Sequence, residues 1–344
     1  MESLLALARL LFHKRLRWYH VMAFVKHNTL KKARNFVLNN IERAQHKSRL
    51  RSKPYVLDLE VTNRCNYRCP FCLTGRGLGK DLGKVQFANL EKLLGELGDY
   101  VYLASLHLRG EPLLHEDLPR IIALFHKNNI HTVMSSNLSL LDEKGARRLI
   151  ESKLDYLIVA LDGATRETYE RYRVGGNFQT VLTNLQRLVQ LKKELKSSRP
   201  TIEWQFIAFK HNIHEIDAVK ALVRAVGADN LSIIPGYVED DSFAVHDGKH
   251  KSYKTRILPM GKRTDCKSLW AVLTLGWDGE VAACCWEETM NSHFGNVFRT
   301  RFDDVWNNEK FQNSRRLIKW GPGHVRAETI CDECVRSIAP SCEP

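Results

Sequence analysis

Six strand-like segments alternate with helical segments along the chain, and this order constrains the fold more than any other feature. The strand-like segments are residues 55–61, 101–108, 130–136, 154–161, 201–209 and 230–235. Helical patterns lie between them, around residues 88–97, 117–128, 142–152, 165–195 and 213–226. Such alternation favours parallel strands joined by helical crossovers. It predicts an α/β fold, a partial (β/α)6 TIM-like barrel whose active face lies at the carboxyl ends of the strands.

The segments on either side of this barrel have a different character. We expect a basic amphipathic helical segment over residues 1–52, the barrel over 53–240, a linker over 241–262 and a small domain over 263–344. The small domain has two short strand-like segments and few apolar residues for a core of its own. Cysteines lie at both of its ends, so a bound metal explains its stability better than its core does.

The positive charge is concentrated at the start of the chain. Residues 1–53 hold thirteen lysines and arginines against two glutamates. Their net charge is 13 − 2 = +11, out of a formal net charge of +13 for the whole chain. The rest of the chain is nearly neutral, so the charge gives no support to nucleic-acid binding by the main domain. The basic segment predicts either peripheral contact with an anionic membrane or acidic partner through residues 1–50, or a helical cap packed on the barrel.

The sequence predicts neither a spanning segment nor a secretory signal. No apolar run reaches the length of a transmembrane helix, and the apolar start lacks both a preceding positive region and a small-residue cleavage site. We therefore expect a cytoplasmic protein, peripheral to the membrane if the basic segment binds lipid.

Three cysteines directly follow the first strand-like segment, in VTNRCNYRCPFC, residues 61–72. Cys65, Cys69 and Cys72 have the spacing C-x3-C-x2-C, with no fourth cysteine nearby. A structural zinc site takes four ligands, and disulfides take an even number of cysteines. A 4Fe–4S cluster has four irons, so three thiolates leave one iron open for a substrate or cosubstrate. We therefore predict a 4Fe–4S cluster with one open iron at these three residues.

The cysteine spacing, with Phe71 just before the last cysteine, resembles the radical S-adenosylmethionine (SAM) superfamily. The strings TNRCN and LDGATRETYERYRVGGNF (161–178) resemble its branch with a C-terminal SPASM or Twitch extension. The resemblance covers about residues 53–344. It implies an oxidoreductase or transferase in which SAM binds the open iron of the cluster and is cleaved by an electron. The resulting 5′-deoxyadenosyl radical would take a hydrogen atom from the substrate.

The resemblance also implies SAM-binding residues at the later strand ends. HLRGEPLL (107–114) matches the family's GGE-type segment, with Arg109 in place of the first glycine. There Gly110 would let the backbone approach the ligand, and Glu111 would accept bonds from the SAM ammonium. The further candidates are Ser136, Asn137 and Asp162 near the carboxylate and ribose, Gln205, Lys210, Asn212 and Arg173 as other polar partners, and Phe71, Ile234 and Pro235 around the adenine. The alternative for each polar residue is an ordinary turn or cap residue.

The C-terminal cysteines match part of a SPASM domain. Cys266 and Cys284 occur as C-x12-G-x4-C, with Gly279 in a turn between the two strand-like segments, which matches the hairpin that opens such a domain. Cys331 and Cys334 match its closing half. The resemblance implies one auxiliary 4Fe–4S cluster held by Cys266, Cys284, Cys331 and Cys334, with Cys285 or Cys342 as a substitute ligand. Neighbouring strand residues point to opposite faces, so only one of Cys284 and Cys285 should ligate. A zinc ribbon is the alternative. His293 and His324 are expected to be surface or packing residues.

The substrate is less constrained than the chemistry. Residues 1–52 read as helix only, unlike the mixed α/β leader-binding module of many peptide-modifying relatives. This favours a small molecule, sugar, glycan or lipid-linked substrate, with a ribosomal peptide or protein as the alternative. A flavodoxin or ferredoxin would supply the electron. A zinc-ribbon RNA-binding protein is the alternative of another class, but it leaves the first three cysteines one ligand short and the strand–helix order unexplained.

Overall fold

The computed structural model describes residues 18–77, 81–246, 248–253, 266–287 and 292–336. The strands in these ranges are β1 (Val56–Leu59), β2 (Leu103–Ser105), β3 (His131–Ser136), β4 (Tyr156–Ala160), β5 (Thr201–Ala208), β6 (Asn230–Pro235), β7 (Val272–Leu275) and β8 (Val281–Ala282). They form one sheet in the order β6-β5-β4-β3-β2-β1-β7-β8. All neighbours are parallel except β7 and β8. The predicted α/β class is confirmed, and the parallel sheet is consistent with a partial TIM-like barrel.

Helices precede, connect and follow the strands. They are α1 (Trp18–Lys26), α2 (Leu30–Ala44), α3 (Phe87–Leu97), α4 (Leu118–Lys127), α5 (Glu143–Glu151), α6 (Arg166–Tyr172), α7 (Phe178–Glu194), α8 (Ile216–Val226), α9 (Ser268–Ala271), α10 (Phe302–Trp306), α11 (Glu309–Trp320) and α12 (Ile330–Arg336). Several begin at a Thr, Asp or Asn whose side chain accepts from the amide three residues on, as Asp142 does for α5 and Asn177 for α7. Such caps satisfy amides that have no partner inside the helix.

The sequence predicts one helix over residues 165–195, but the structure has two, α6 and α7. Gly175 between them has a positive φ of 89°. A Cβ on Gly176 would lie 2.9 Å from the ring of Tyr67. The break also lets the Val174 carbonyl accept a 2.8 Å hydrogen bond from the Arg68 amide. The glycine pair therefore ends α6 and brings the chain against the cysteine-bearing loop.

The first two helices close the amino end of the barrel. Ala23 of α1 and Phe36 of α2 are buried in a cluster with Tyr55, Tyr102 and Tyr156, which lie at or beside the starts of strands. Polar groups support the packing: the Asn39 side-chain amide donates to the Ser52 hydroxyl (3.0 Å), and Glu42 accepts from the Arg51 and Ser52 amides (3.0 and 3.1 Å). In its described part, the basic segment thus forms the helical cap that was one of its two predicted roles.

The C-terminal region extends the barrel sheet instead of standing apart from it. Strand β7 pairs in parallel with β1, with Val272 beside Val56 and Leu275 beside Leu59. The turn between β7 and β8 contains Gly279 at a φ of 90°, as the predicted hairpin requires. Residues 254–262 of the predicted linker and Cys342 lie outside the described residues. Within the described ranges, no helix has the length and apolarity needed to cross a membrane.

Candidate active site

The three-cysteine loop lies at the carboxyl ends of the parallel strands, directly after β1. Cys65, Cys69 and Cys72 line one cavity of about 200 Å³. Backbone bonds hold the loop: the Cys72 amide donates to the Cys69 carbonyl (3.1 Å), and the Tyr67 amide donates to the Cys65 sulfur (3.4 Å). A Cβ on Gly75 would lie 2.7 Å from the Cys69 amide nitrogen, so a glycine allows the loop to close this tightly.

The chemistry of these thiols fits a bound cationic cluster. Burial raises the pKa of Cys65 to about 11. Burial also raises the pKa of Cys69, against the opposing effect of the Arg173 guanidinium, while neighbouring Cys72 raises it further. Cys65 and Cys69 are therefore poor thiolates by themselves, and a metal that binds them supplies the charge that favours deprotonation. The donor set is the one predicted for a 4Fe–4S cluster.

The segment after β2 fixes this loop from the side. Gly110 has a φ of 72°, and a Cβ there would collide with the Thr62 carbonyl and lie 2.8 Å from the Arg64 carbonyl oxygen. The next amide, of Glu111, donates to that Arg64 carbonyl (2.7 Å). The sequence predicted that Gly110 lets the backbone approach a ligand. The structure shows a close approach of the Gly110 backbone to the cysteine loop, and the approach to a ligand stays a prediction.

Glu111 is buried at the edge of the same cavity and joins two strand ends. Its carboxylate accepts from the Ser136 hydroxyl (2.7 Å), the Asn137 amide (2.8 Å) and the Leu113 amide (3.1 Å). Burial raises the pKa of Glu111, and these hydrogen bonds act in the opposite direction. Three of about four lone-pair positions of the carboxylate are used within the protein, which leaves one on Oε2 for a ligand ammonium.

Arg173 reaches the cavity from the break between α6 and α7. Its Nε donates to Asp162 Oδ2 (2.6 Å), and its Nη1 lies 3.9 Å from the Cys69 sulfur. Asp162 is fully buried and also accepts from the Ile207 amide (2.7 Å). Burial lowers the pKa of Arg173, but the Asp162 carboxylate and the Cys69 thiol raise it well above its ordinary value. A fixed positive charge therefore lies beside the cysteine sulfurs.

Four more cysteines come together in the C-terminal region. Cys331 and Cys334 lie on α12, and positions three apart share a helix face. Burial raises the pKa of Cys284 well above its ordinary value, with Cys285, Cys266 and Cys331 adding to the effect. Burial raises the pKa of Cys331 to about 12, with smaller contributions from Cys266 and Cys334. Cys284 is half-buried while Cys285 is exposed, so Cys284 is the better placed of the two.

The spacing of the cysteine sulfurs bears on the choice between an iron–sulfur cluster and zinc. Bonds of about 2.3 Å place two sulfurs of a tetrahedral zinc site about 3.8 Å apart. Among the residues that the structure describes, no three of the cysteine sulfurs lie within 4.8 Å of one another. A 4Fe–4S cube keeps its ligands further apart because each thiolate binds a different iron. The described cysteine sulfurs are therefore not gathered as closely as the ligands of a zinc site would be.

Comparison with known proteins agrees with this geometry. The radical SAM superfamily model matches residues 59–202, and a SPASM model, described as an iron–sulfur cluster-binding domain, matches residues 266–335. The chain belongs to the radical SAM superfamily. The predicted superfamily, the SPASM-type extension and the enzyme class are thereby confirmed. The first domain implies a 4Fe–4S cluster and SAM, and the second implies auxiliary iron–sulfur clusters.

The relatives of this radical SAM protein differ in how much of it they match. A probable GTP 3′,8-cyclase of Methanococcus maripaludis is 26% identical over 49% of this chain and 55% of its own length, so the match spans about half of that relative. PqqA peptide cyclase of Gluconobacter oxydans is 23% identical over 81% of this chain and 83% of its own. The structure of Streptococcus suis SuiB bound to precursor peptide SuiA has a TM-score of 0.60 at 15% identity, over 81% of this chain and 70% of SuiB. That likeness shows the fold.

The cavity brings together some of the predicted SAM-binding residues and leaves others aside. Its lining includes the three cysteines with Gly110, Glu111, Ser136, Asn137 and Arg173. The residues lining it do not include Phe71, Asp162, Gln205, Ile234, Lys210, Asn212 or Pro235. Asp162 holds Arg173 from behind, and Asn212 caps the turn after β5 by accepting from the Phe209 amide (2.7 Å). The SAM contacts themselves stay predictions.

Phe71 has an aromatic environment of its own beside the cavity. Its ring centroid lies 5.1 Å from that of Phe243, 6.0 Å from that of Tyr172 and 6.3 Å from that of Phe209. Tyr172 of this cluster also lines the cavity. Phe71, which was predicted to contact the adenine, is therefore one member of a larger aromatic cluster beside the cavity.

The sequence analysis missed several lining residues. His107, Tyr67, Tyr172, Ser135 and Ala160 all face the cavity. His107 and Ser135 are detectable in principle, because they lie at or just beyond the carboxyl ends of β2 and β3, where the loops of a barrel gather. Tyr67 and Tyr172 come from a loop and a helix end, where no periodicity marks the inward side.

Arg109, which departs from the family's glycine, connects the two cysteine regions. Its Nη1 donates to Glu60 Oε2 (3.0 Å), and its Nη2 donates to the Glu287 carbonyl (2.7 Å). Glu287 lies just after Cys284 and accepts from the Ala283 amide through its side chain (3.0 Å). The substitution therefore ties the strand ends of the barrel to the C-terminal hairpin.

Proposed function

We propose that this chain is a radical SAM enzyme that modifies a peptide or a protein, with help from one auxiliary 4Fe–4S cluster. The supporting observation is the extent of the likeness. PqqA peptide cyclase and peptide-bound SuiB each match over 81% of this chain, whereas the GTP 3′,8-cyclase match covers 49%. The small-molecule, sugar or lipid-linked substrate favoured by the sequence is therefore the second candidate.

The cavity residues have separate roles under this proposal. Cys65, Cys69 and Cys72 hold the core cluster, which together with SAM supplies a radical able to take a hydrogen atom from a peptide. Arg173 offers fixed donors for a carboxylate, and Glu111 offers the remaining lone pair of Oε2 to an ammonium. The closed amino end of the barrel excludes water from one side of the reaction.

The auxiliary cluster belongs to the C-terminal region. We assign it to Cys266, Cys284, Cys331 and Cys334, and this proposal is supported by the effects of Cys266 and Cys331 on the pKa of Cys284 and of Cys334 on that of Cys331. Cys342, the other substitute considered from the sequence, lies outside the described residues. The adjacent residues Cys284 and Cys285 provide a matched test of this assignment. Cys284→Ala should remove the auxiliary cluster, and Cys285→Ala should leave it in place.

Cysteine variants test the two clusters separately. Anaerobically purified protein should hold about eight iron atoms, and the reduced protein should convert SAM to 5′-deoxyadenosine. The triple change of Cys65, Cys69 and Cys72 to Ala should abolish that conversion. Cys284→Ala should halve the iron and keep SAM cleavage while blocking product formation. Retained SAM cleavage in the triple variant, or zinc in place of iron, would refute the assignment.

The substrate class needs a different experiment. A host extract fraction of peptides and small proteins should increase 5′-deoxyadenosine formation by the reduced enzyme and yield a peptide with a new mass. The same fraction, digested with a nonspecific protease and freed of the protease, is the matched control and should be inactive. Stimulation that survives digestion would identify a small molecule as the substrate instead.

Two partners remain to be tested under this proposal. A flavodoxin or ferredoxin is the expected electron donor, because reductive SAM cleavage needs a single electron. Peripheral contact with an anionic membrane stays a prediction, and Val37 and Ile41, which α2 exposes within the basic segment, are the residues at which to test it. Val37→Glu with Ile41→Glu should then reduce binding to vesicles rich in anionic lipid, and unchanged binding would exclude this contact. Nucleic acid is not an expected partner.

A further inference from the structure

A cluster of metal-binding side chains lies at the amino end of the barrel, opposite the cysteine loop. His27 follows α1, His131 begins β3, and Asp155 directly precedes β4. Their side chains are 4%, 5% and 3% exposed. One ligand atom from each of the three lies within 4.8 Å of the other two. They come from distant parts of the chain and converge on one buried point.

The hydrogen bonding of His27 favours the ring tautomer in which the inward nitrogen is an acceptor. Asn129 Nδ2 donates to the His27 carbonyl (3.4 Å), which orients Asn129 Oδ1 to accept from His27 Nδ1 (3.0 Å). The neutral ring then carries its proton on Nδ1, and the lone pair of Nε2 faces inward. Metal-binding histidines in proteins typically donate their other ring N–H in this way.

Across the cluster, the Asp155 carboxylate is also held in place. Oδ2 accepts from the Thr132 amide (3.0 Å), and Oδ1 accepts from Arg199 Nε (3.1 Å). His27 Nε2 lies 3.8 Å from Oδ1, and His131 Nδ1 lies 3.7 Å from Oδ2. Both separations are too long for hydrogen bonds.

Several buried nitrogens in the cluster thus lack partners. Neither ring nitrogen of His131 nor Nε2 of His27 has a hydrogen-bond partner among the described residues. Burying such groups unsatisfied is costly.

We propose that His27, His131 and Asp155 bind one Zn²⁺ ion, with water in the fourth position. Two imidazoles and a carboxylate are a common zinc donor set, and bonds of about 2.0–2.2 Å place donors of a tetrahedral ion about 3.4 Å apart. His27 Nε2 faces Oδ1 at 3.8 Å and His131 Nδ1 faces Oδ2 at 3.7 Å, so each imidazole lies slightly beyond that distance from a carboxylate oxygen. Zinc would satisfy nitrogens that now lack partners, and it would fasten α1 to the starts of β3 and β4.

Metal analysis of the whole anaerobically purified protein, expressed with zinc in the medium, tests this proposal. We expect about one zinc per chain in addition to the iron, and X-ray absorption at the zinc edge should show only nitrogen and oxygen neighbours at about 2.0–2.2 Å. His27→Gln and His131→Asn should each lose most of the zinc while keeping their iron. His214→Gln, a change at an exposed histidine, is the matched control and should keep both metals.

The outcomes that overturn the proposal differ from those that would overturn the enzyme assignment. Zinc-free protein, zinc with sulfur neighbours at about 2.3 Å, or zinc retained in both variants would each reject the site. If His131→Asn fails to fold, His27→Gln decides the question alone, since His27 lies outside the strands. Formation of 5′-deoxyadenosine should be unchanged in His27→Gln, because the site lies at the opposite end of the barrel from the cysteine loop.

Discussion

Two buried aspartates flank strand β4, Asp155 before its start and Asp162 after its end. They differ in the partners that surround their carboxylates. Asp162 at the carboxyl end gives one oxygen to Arg173 and the other to the Ile207 amide, so its charge is matched at short distance. Asp155 at the amino end gives one oxygen to Arg199 and one to the Thr132 amide, and two histidines face it without hydrogen bonds. One end of the barrel has a completed ion pair, and the other has unsatisfied nitrogen atoms.

The two ends of the barrel therefore have different roles: the carboxyl end holds the candidate active site, and the amino end is closed by helices. At the carboxyl end, the paired charges orient a guanidinium towards a cysteine sulfur in an accessible cavity. At the amino end, α1 and α2 cover the strand starts, and the polar groups are sealed beneath them. Variants at the first end should therefore change reactivity and stability together, and variants at the second should change stability alone.

The largest effect is expected for Gly110→Ala at the carboxyl end. A Cβ there would collide with the Thr62 carbonyl, and the φ of 72° adds backbone strain. We expect a loss of about 3–5 kcal/mol in the free energy of unfolding, measured by urea denaturation, together with loss of iron. Gly95→Ala, in open space on α3, is the control and should be neutral or stabilising by up to about 1 kcal/mol. Normal iron content in Gly110→Ala would contradict the proposed closeness of that segment to the cysteine loop.

Asp162→Asn should have the next largest effect. It leaves the Arg173 guanidinium buried without its counter-ion, which costs about 3 kcal/mol of stability. Because Arg173 loses its orientation, SAM binding should weaken as well, as measured by equilibrium dialysis of the reconstituted protein. Weakened SAM binding without a loss of stability would mean that Asp162 contacts SAM directly, as the sequence resemblance implied.

Asp155→Asn should cost about 2 kcal/mol of stability, somewhat less than Asp162→Asn. Arg199 is 29% exposed and keeps access to water when its partner is neutralised. The rate of 5′-deoxyadenosine formation per folded molecule should be unchanged. A reduced rate in correctly folded Asp155→Asn would show that the two ends of the barrel are coupled.

The smallest effect is expected between the two ends, at Asp58 of β1. Burial raises the pKa of Asp58 to about 6, so its contribution to stability is complete below pH ~3.8 and is lost as the pH rises through 6. Asp58→Asn should therefore be more stable than the parent by about 1–2 kcal/mol at pH 7.5, with a smaller difference at pH 5.5. The exposed Asp217→Asn variant should stay within about 0.5 kcal/mol at both values. An equal difference at both pH values would exclude this carboxyl group as the cause.

The sequence correctly predicted features that repeat along the chain or that involve residues close together in it. The six barrel strands were readable because each apolar run is bounded by helical periodicity, and the cysteine loop was readable because its three residues lie within eight positions. The hairpin around Gly279 was predicted for the same reason. These features depend on residues close together in the chain, where spacing alone carries the information.

Contacts between distant residues were not readable. Arg173 and Asp162 each look like a turn or cap residue, and only the break between α6 and α7 brings them together. His27, His131 and Asp155 carry no common spacing, so the cluster appears only when α1 folds over the strand starts. The pairing of β7 with β1 was missed because a four-residue strand after a long irregular segment gives no sign of which sheet it joins.

The pairing of β7 with β1 limits how this protein can be cut or recombined. Removing the chain beyond residue 262 would take away β7 and leave one edge of β1 with unpaired backbone groups. Exposed edges of this kind promote association between chains. A truncated barrel should therefore aggregate, and a C-terminal region borrowed from a relative would have to supply a compatible strand as well as compatible cysteines. Because β7 is part of the barrel sheet, the C-terminal region cannot be replaced as an independent domain.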